Sequence, residues 1–464
     1  MQSQGRALTL PTCLSGPLQP AAAAAAAAAE SQVALTPLGE LLEPSLALGQ
    51  VSELDAANRE ERLCQEMDLD SAHQDAHAVA PPKSSSKRAT LIIIIKCCFC
   101  QGYLIMPNGN KLAGVIGAPL FLTVVTALEM WGVHALIECR KAKGPGRYQD
   151  LGLVWGKKGQ QFISFSIALL AFGFNCIWTV SVAKYVGNLF PEWGTTARLC
   201  LCPPLVALLT LVRHLKAFTV SNLIGVCLTA VTFVVILTYA LAEIAQNGAK
   251  EIVVFNTSNM GPLIWLGQCG YAFEVIVSVL PIYEAAAHKE SVSTYLYSVV
   301  GVFTILLSIF GYVCYSAYGA DTKDLVISNL PEKSFVSYFF NTALTINAIA
   351  TQPINNFIIC QSYEPLFRWS SNPLKRKWMK NLVRFGLVLG TVFTTWLGGA
   401  QLQNFLGLVG GVLGLLIAFV MPCLLHISIC KPVGWTTFMD YVAISCGLIV
   451  MVSSFYQSIS TWKV

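Results

Sequence analysis

Charge is what this sequence has least of. Lysine, arginine, aspartate and glutamate make up 12% of its 464 residues, against 55% hydrophobic residues. A soluble domain carries about 25% charge, so that class is excluded. No G-x-x-x-x-G-K-[ST] loop is present, which leaves coupling to ATP unsupported. No H-E-x-x-H and no nucleophile–base spacing are present either, so no enzyme class is indicated. The sixteen cysteines lie mostly in apolar runs and lack the paired spacing of a secreted disulfide framework. Cys97, Cys98 and Cys100 contain one C-x-x-C spacing but no second ligand pair, so they read as small membrane-helix residues, with no metal and no bound cofactor. The net charge of +5 does not point to nucleic acid, because the basic residues fall in short loops between apolar runs.

What remains is a succession of apolar stretches long enough to span a bilayer. Eleven are expected, near residues 90–108, 113–139, 160–188, 195–212, 218–243, 262–283, 292–318, 335–362, 381–399, 403–429 and 437–459. Residues 1–88 form a separate, Ala-rich and acidic tail, expected to be disordered and cytoplasmic, with a transient helix near 53–69. The tail has no signal-peptide pattern, and the transmembrane domain occupies 89–464. Basic residues cluster after the second, fourth, sixth, eighth and tenth spans, including Arg140, Arg213, Lys289, Arg376 and Lys431. The positive-inside bias places those loops and the amino terminus in the cytoplasm, and the carboxyl terminus outside or in a lumen. The sequon at Asn256 falls on that outer side.

Two spans are interrupted, at matching places in the two halves. The first holds Lys96, Gln101, Gly102 and Pro107; the second holds Gly267, Gly270, Glu274 and Pro281. Matched breaks are the strongest sequence pointer to a transporter's binding site. The five spans from one broken segment to the next force the two repeats to be inverted. Backbone N–H groups freed at Cys100, Gln101 and Gly102, with the positive end of the following half-helix, suit a substrate carboxylate. Freed carbonyls near Gly270 suit an ammonium group, and Tyr271 and Phe273 suit the substrate side chain. Glu274 is read as the only carboxylate deep in any span, and so as proton carrier or ion partner. Lys96 either snorkels to the interface or takes a buried ionic role. One face of span 3, which carries Gly173, Asn175, Cys176 and Trp178, is expected to border the site. On span 8, Thr345, Asn347, Thr351, Gln352 and Pro353 are mostly assigned to helix–helix joining. Cys176, Thr345 and Thr351 stay as pocket-lining candidates.

These residues resemble the amino acid/auxin permease family, in its proton-coupled and vacuolar amino acid transporter branches. The family's K-G-N-x-G-x-G-x-L-x-x-P is matched by Lys96, Gly102, Leu104 and Pro107, while Cys97, Cys98 and Cys100 replace a glycine, an asparagine and a glycine. Its Y-A-F-E-G and L-P look like Tyr271–Glu274, with Val275 for the glycine, and Leu280–Pro281. Gly311-Tyr312 through Pro331, and Leu408-Val409-Gly410-Gly411 through Pro422, match as well. The resemblance covers about residues 90–460. It implies an all-α membrane protein with the five-plus-five inverted repeat of the bacterial leucine transporter, broken in helices 1 and 6. It also implies amino acid substrates, moved with protons or sodium as spans 1, 2, 6 and 7 rock against the rest.

The expected function is secondary active transport of neutral amino acids. The expected coupling ion is H+ rather than Na+, because Cys98 is a poor ligand for a hard cation. The membrane is a plasma membrane or one of vacuolar or lysosomal type. The partners are substrate and lipid bilayer, with no nucleic acid. The rival is a non-transporting amino acid sensor that signals through its tail.

Overall fold

The computed structural model describes residues 86–98, 101–211, 218–257, 260–273, 275–331, 333–363 and 372–462. Apart from residues 86–88, which lead into the first helix, the tail expected over 1–88 lies outside the described residues. The described chain is helical throughout and contains no β-strand. Among the described residues, six stretches are long and apolar enough to cross a membrane by length and composition: Lys87–Lys143, Tyr148–Leu189, Leu223–Asn247, Glu290–Asp321, Leu402–Ile429 and Trp435–Ser460. Exposed side chains on these and neighbouring helices are strongly apolar, among them Leu208, Val302, Ile305, Leu382 and Val452. Such residues face lipid without penalty.

The helices map onto the eleven expected spans. Span 1 is interrupted, as its residues predict. Helix Lys87–Cys98 ends, a tight turn of 3₁₀ helix covers Gln101–Ile105, and a new helix starts at Met106. Pro107 sits at the start of that second helix, where its missing N–H costs nothing, so it begins the second half rather than kinking the first. This half runs on to Gly114, whose φ of 86° breaks the helix just past the Asn108-Gly109-Asn110-Lys111 cluster. The chain reverses there. Gly109, before the break, packs on the Trp265 ring, and the Ala118 carbonyl, after it, accepts from Trp265 Nε1 at 2.9 Å. Span 2 therefore covers 115–143.

Span 3 is Gly156–Leu189, and span 4 is Thr195–Cys200 with Cys202–Thr210. Span 5 is Phe218–Asn247. Span 6 is broken between Gly261–Cys269 and Ile276–Ala285. Spans 7, 8, 9 and 11 are Glu290–Tyr318, Phe335–Tyr363, Pro373–Leu397 and Trp435–Ser460. Span 10 runs from Leu402–Leu408 through two wide π-helical turns, Val409–Gly414 and Leu416–Val420, to Met421–Ile429.

In lipid there is little hydrophobic drive between helices, so close packing and polar contacts hold the bundle. Small residues supply the packing: a methyl at Gly132 would overlap the Ala418 carbonyl, and one at Gly173 would lie 2.6 Å from Val409. Polar pairs supply the rest. Asn175 Nδ2 donates to Asn356 Oδ1 at 2.9 Å, and Asn356 Nδ2 donates to Thr210 Oγ1, which joins spans 3, 8 and 4. At one end of the bundle, Arg140 Nε donates to Glu284 Oε1 at 2.7 Å and Lys289 pairs with Glu284 Oε2 at 3.1 Å. The ends of spans 2 and 6 and the start of span 7 therefore share one end, as the basic clusters require. At the opposite end, Val115 and Ile116 N–H groups donate to the Val253 and Val254 carbonyls, which holds the loop before span 6 against the turn at Gly114.

Candidate functional site

The two breaks meet. A Cβ on Gly102 would lie 2.9 Å from the Ala272 carbonyl oxygen and 3.3 Å from its Cα. Spans 1 and 6 pass each other in opposite directions at this point. The second half of span 1 runs beside the first half of span 6, where Gly109 faces Trp265. The first half of span 1 contacts the second half of span 6. The backbone has left the regular helix on both sides of the contact, so peptide groups there have no helical partner four residues away.

Span 10 closes a third side. A Cβ on Gly270 would lie 2.5 Å from the Gly410 carbonyl oxygen, and one on Gly410 would lie 2.9 Å from the Tyr271 nitrogen. Gly410 belongs to the first π-helical segment, and such segments concentrate at functional sites.

Span 3 supplies the fourth side. The Tyr185 hydroxyl donates to Gln101 Oε1 at 3.0 Å, and Phe174 packs edge-on against Tyr271 with ring centroids 5.8 Å apart. Positions 174, 181 and 185 fall on one helical face, and Ser181 contacts the Tyr185 hydroxyl. Gln101 Nε2 is buried and has no hydrogen-bond partner among the described residues. An enclosed amide nitrogen of this kind suits an acceptor brought by a ligand. Tyr103, next to the break, packs edge-on against Phe233 of span 5 and Phe310 of span 7.

Of the residues expected at the site, Gln101, Gly102, Gly270, Tyr271 and Phe273 are buried or nearly so and gather around this contact. Cys100 and Glu274 lie outside the described residues. Lys96 stands in the last turn of the first half of span 1, half-buried, with no hydrogen bond or ion pair among the described residues. Cys176 is buried. The Thr345 and Thr351 hydroxyls each donate at 2.8 Å to a carbonyl one turn back, those of Asn341 and Asn347.

One face of span 3 borders the breaks, that of Phe174 and Tyr185, while Asn175 joins span 8. One expectation needs correction: Glu274 is not the only carboxylate within a span. Asp440 on span 11 is fully buried, where it accepts from Trp131 Nε1 at 2.9 Å and pairs with His426 Nδ1 at 2.8 Å. Glu129 is buried in the middle of span 2. Tyr185 and Phe174 gave no sequence signal, since an aromatic in an apolar helix is ordinary. Glu129 did give one, a lone carboxylate between apolar runs.

The family model described as transmembrane amino acid transporter protein matches residues 83–460. Vacuolar amino acid transporter 3 of Saccharomyces cerevisiae is 25% identical over 409 residues, covering 83% of this chain and 58% of that protein. The chain thus spans somewhat over half the length of that relative. Amino acid transporter ANT1 of Arabidopsis thaliana is 24% identical over 413 residues, covering 81% of this chain and 92% of that protein. Two solved structures share the fold. Mhp1 in an inward-facing conformation matches with a TM-score of 0.51 at 14% identity, covering 82% of this chain and 92% of that one. MhsT in complex with L-phenylalanine matches with a TM-score of 0.51 at 11% identity, covering 80% and 99%.

Proposed function

The chain belongs to the transmembrane amino acid transporter family, and from that premise we propose that it carries neutral amino acids across a membrane by alternating access, driven by protons. The observation that carries the reading is the approach of Gly102 to Ala272, which joins two helix breaks at one point inside the bundle. Backbone groups outside the regular α-helical ladder there recognise what every amino acid shares. Cys100, Gln101 and Gly102 hold the carboxylate, with the Gln101 amide nitrogen as a side-chain donor. Gly270 and its neighbours accept from the ammonium group. Tyr271, Phe273 and Phe174 shape the space for the side chain. Glu274 couples or organises the site as an ionisable group beside the substrate.

Protons are favoured over sodium by the side chains near the break. Sodium needs several oxygen ligands. Cys97 and Cys98 bring sulfur, a poor ligand for a hard cation. The vacuolar names of the yeast relatives support a vacuolar or lysosomal-type membrane. The basic end then faces the cytoplasm and Asn256 the lumen. The named transporters among the relatives, and a fold shared with transporters, support transport over catalysis.

The test is uptake of labelled amino acids into proteoliposomes that contain the purified full chain, with and without an imposed pH gradient, in sodium-free buffer. Accumulation that follows the pH gradient, and that is lost in a folded Gly102→Leu variant, is the expected result. Binding of amino acid without flux would favour a sensor. Flux that needs sodium and ignores the pH gradient would remove the proton.

A further inference from the structure

Span 2 holds a side chain that the site described above does not use. Glu129 is 3% exposed and makes no hydrogen bond or ion pair among the described residues. Two contacts fix its height in the bundle. Ala118 lies eleven residues before it and accepts from Trp265 in the first half of span 6. Arg140 lies eleven residues after it and donates to Glu284 in the second half. Eleven residues are about three turns, so positions 118, 129 and 140 share one face of span 2. That face runs along span 6 from its first half to its second. Midway, at Glu129, it is level with the break between Cys269 and Ile276.

Span 10 presses on the same place. One turn further along span 2, a methyl at Gly132 would overlap the Ala418 carbonyl and lie 2.8 Å from Phe419 Cα, within the second π-helical segment. Glu129 therefore stands where span 2, the break of span 6 and the π-helical part of span 10 converge.

Among the described residues, the charged groups on the surrounding elements are engaged elsewhere. Arg140 holds Glu284, and Trp131 and His426 both hold Asp440. His134 packs against the Trp131 and His426 rings, and Tyr271 packs against Phe174. Glu274 lies outside the described residues. A carboxylate ionised in this seam would have neither cation nor donor among the described residues, which inside a membrane costs several kcal/mol. A neutral carboxylic acid would not carry that penalty. The two forms differ in what they require: the acid fits a closed, dry seam, and the carboxylate needs water.

We propose that Glu129 binds a coupling proton of the transport cycle. It holds the proton while the seam between spans 2, 6 and 10 is closed, and releases it to water when the seam opens to one end of the bundle. The proposal rests on the proton-coupled reading above, with Glu129 as a proton site distinct from Glu274.

The experiment compares wild type, Glu129→Gln and Glu129→Asp as purified full chains in sodium-free proteoliposomes. Glutamine imitates the permanently protonated acid. It should keep exchange of labelled amino acid across the membrane, lose accumulation driven by a pH gradient, and flatten the pH dependence of uptake. Aspartate should restore part of the accumulation. Infrared difference spectra of the purified protein should show a protonated-carboxyl stretch that is missing from Glu129→Gln. Gradient-driven accumulation by Glu129→Gln with the wild-type pH profile would overturn the proposal, and so would a carboxyl band that persists in that variant. Loss of exchange and accumulation together in both variants, with the band unchanged between them and wild type, would assign Glu129 a structural role and also overturn it. A wild type that transports but ignores the pH gradient would remove the proton-coupled reading itself, a result told apart by its appearance before any substitution is made.

Discussion

Tyr185 donates its hydroxyl hydrogen to Gln101 Oε1 at 3.0 Å, which ties span 3 to the break of span 1 across 84 residues of sequence. The bond fixes the orientation of the Gln101 amide and so the direction of its free nitrogen. Tyr185→Phe removes the donor and keeps the ring. A neutral hydrogen bond is worth about 0.5–1.5 kcal/mol, or roughly two- to tenfold in affinity. The KM for amino acid uptake should rise by that factor while the amount of folded protein stays constant. Initial rates against substrate concentration measure it, and an unchanged KM would detach Gln101 from the substrate.

Glycines at the meeting of the breaks should respond differently from glycines elsewhere. Gly102→Ala places a methyl 2.9 Å from the Ala272 oxygen and should push the two breaks apart. Gly301→Ala and Gly386→Ala meet nothing within 4 Å. Uptake by Gly102→Ala should fall sharply in protein that still elutes as a single species, and the other two should transport as wild type. Equal activity of all three would show that the Gly102 contact is not part of the site.

The pair at the basic end predicts an asymmetry in stability. Arg140 is buried and Glu284 is partly exposed, with Lys289 on its second oxygen. Glu284→Gln leaves the arginine's charge uncompensated, at a cost of about 3–5 kcal/mol. Lys289→Gln removes an exposed partner worth at most about 1 kcal/mol. Thermal unfolding of the detergent-purified variants should show a much larger loss for Glu284→Gln than for Lys289→Gln.

At the opposite end, Asp324 pairs with Lys184 at 3.0 Å and accepts from Gln403 Nε2 at 2.5 Å, which joins span 3, the loop after span 7 and the start of span 10. Alternating access requires that such an end open and close. Asp324→Lys should slow uptake by setting two like charges together, and Lys184→Asp in the same chain should recover part of the rate. Failure of the double variant to improve on Asp324→Lys would show that the pair does not act as a latch.

The breaks were legible because glycine, proline and charge inside an apolar run have few structural excuses. Gly102, Gly270, Tyr271 and Phe273 all fall beside the contact between spans 1 and 6. The boundary between spans 1 and 2 was legible to within a few residues, at 109–112, but its placement at Gly114 was not, since Ala113-Gly114-Val115-Ile116 reads as continuous helix and the φ of 86° marks the reversal. Asn175 was legible as a polar residue but not as a partner of Asn356, because nothing local says which neighbour a helix face meets. Glu274 sits in a recognisable motif, whereas Glu129 is surrounded by ordinary membrane residues. Burial separates it from a carboxylate near a helix end; composition does not.

Gly102 against Ala272 and Gly270 against Gly410 are meetings of main chain with main chain. Such a seam offers selection no side chain to exchange, only glycines to lose. A lineage that changed its diet would therefore have to leave the seam alone and rework the walls around it, at positions such as Phe174, Tyr271 and Phe273. The grip on the common end of the cargo would stay fixed while the taste for its variable end drifts.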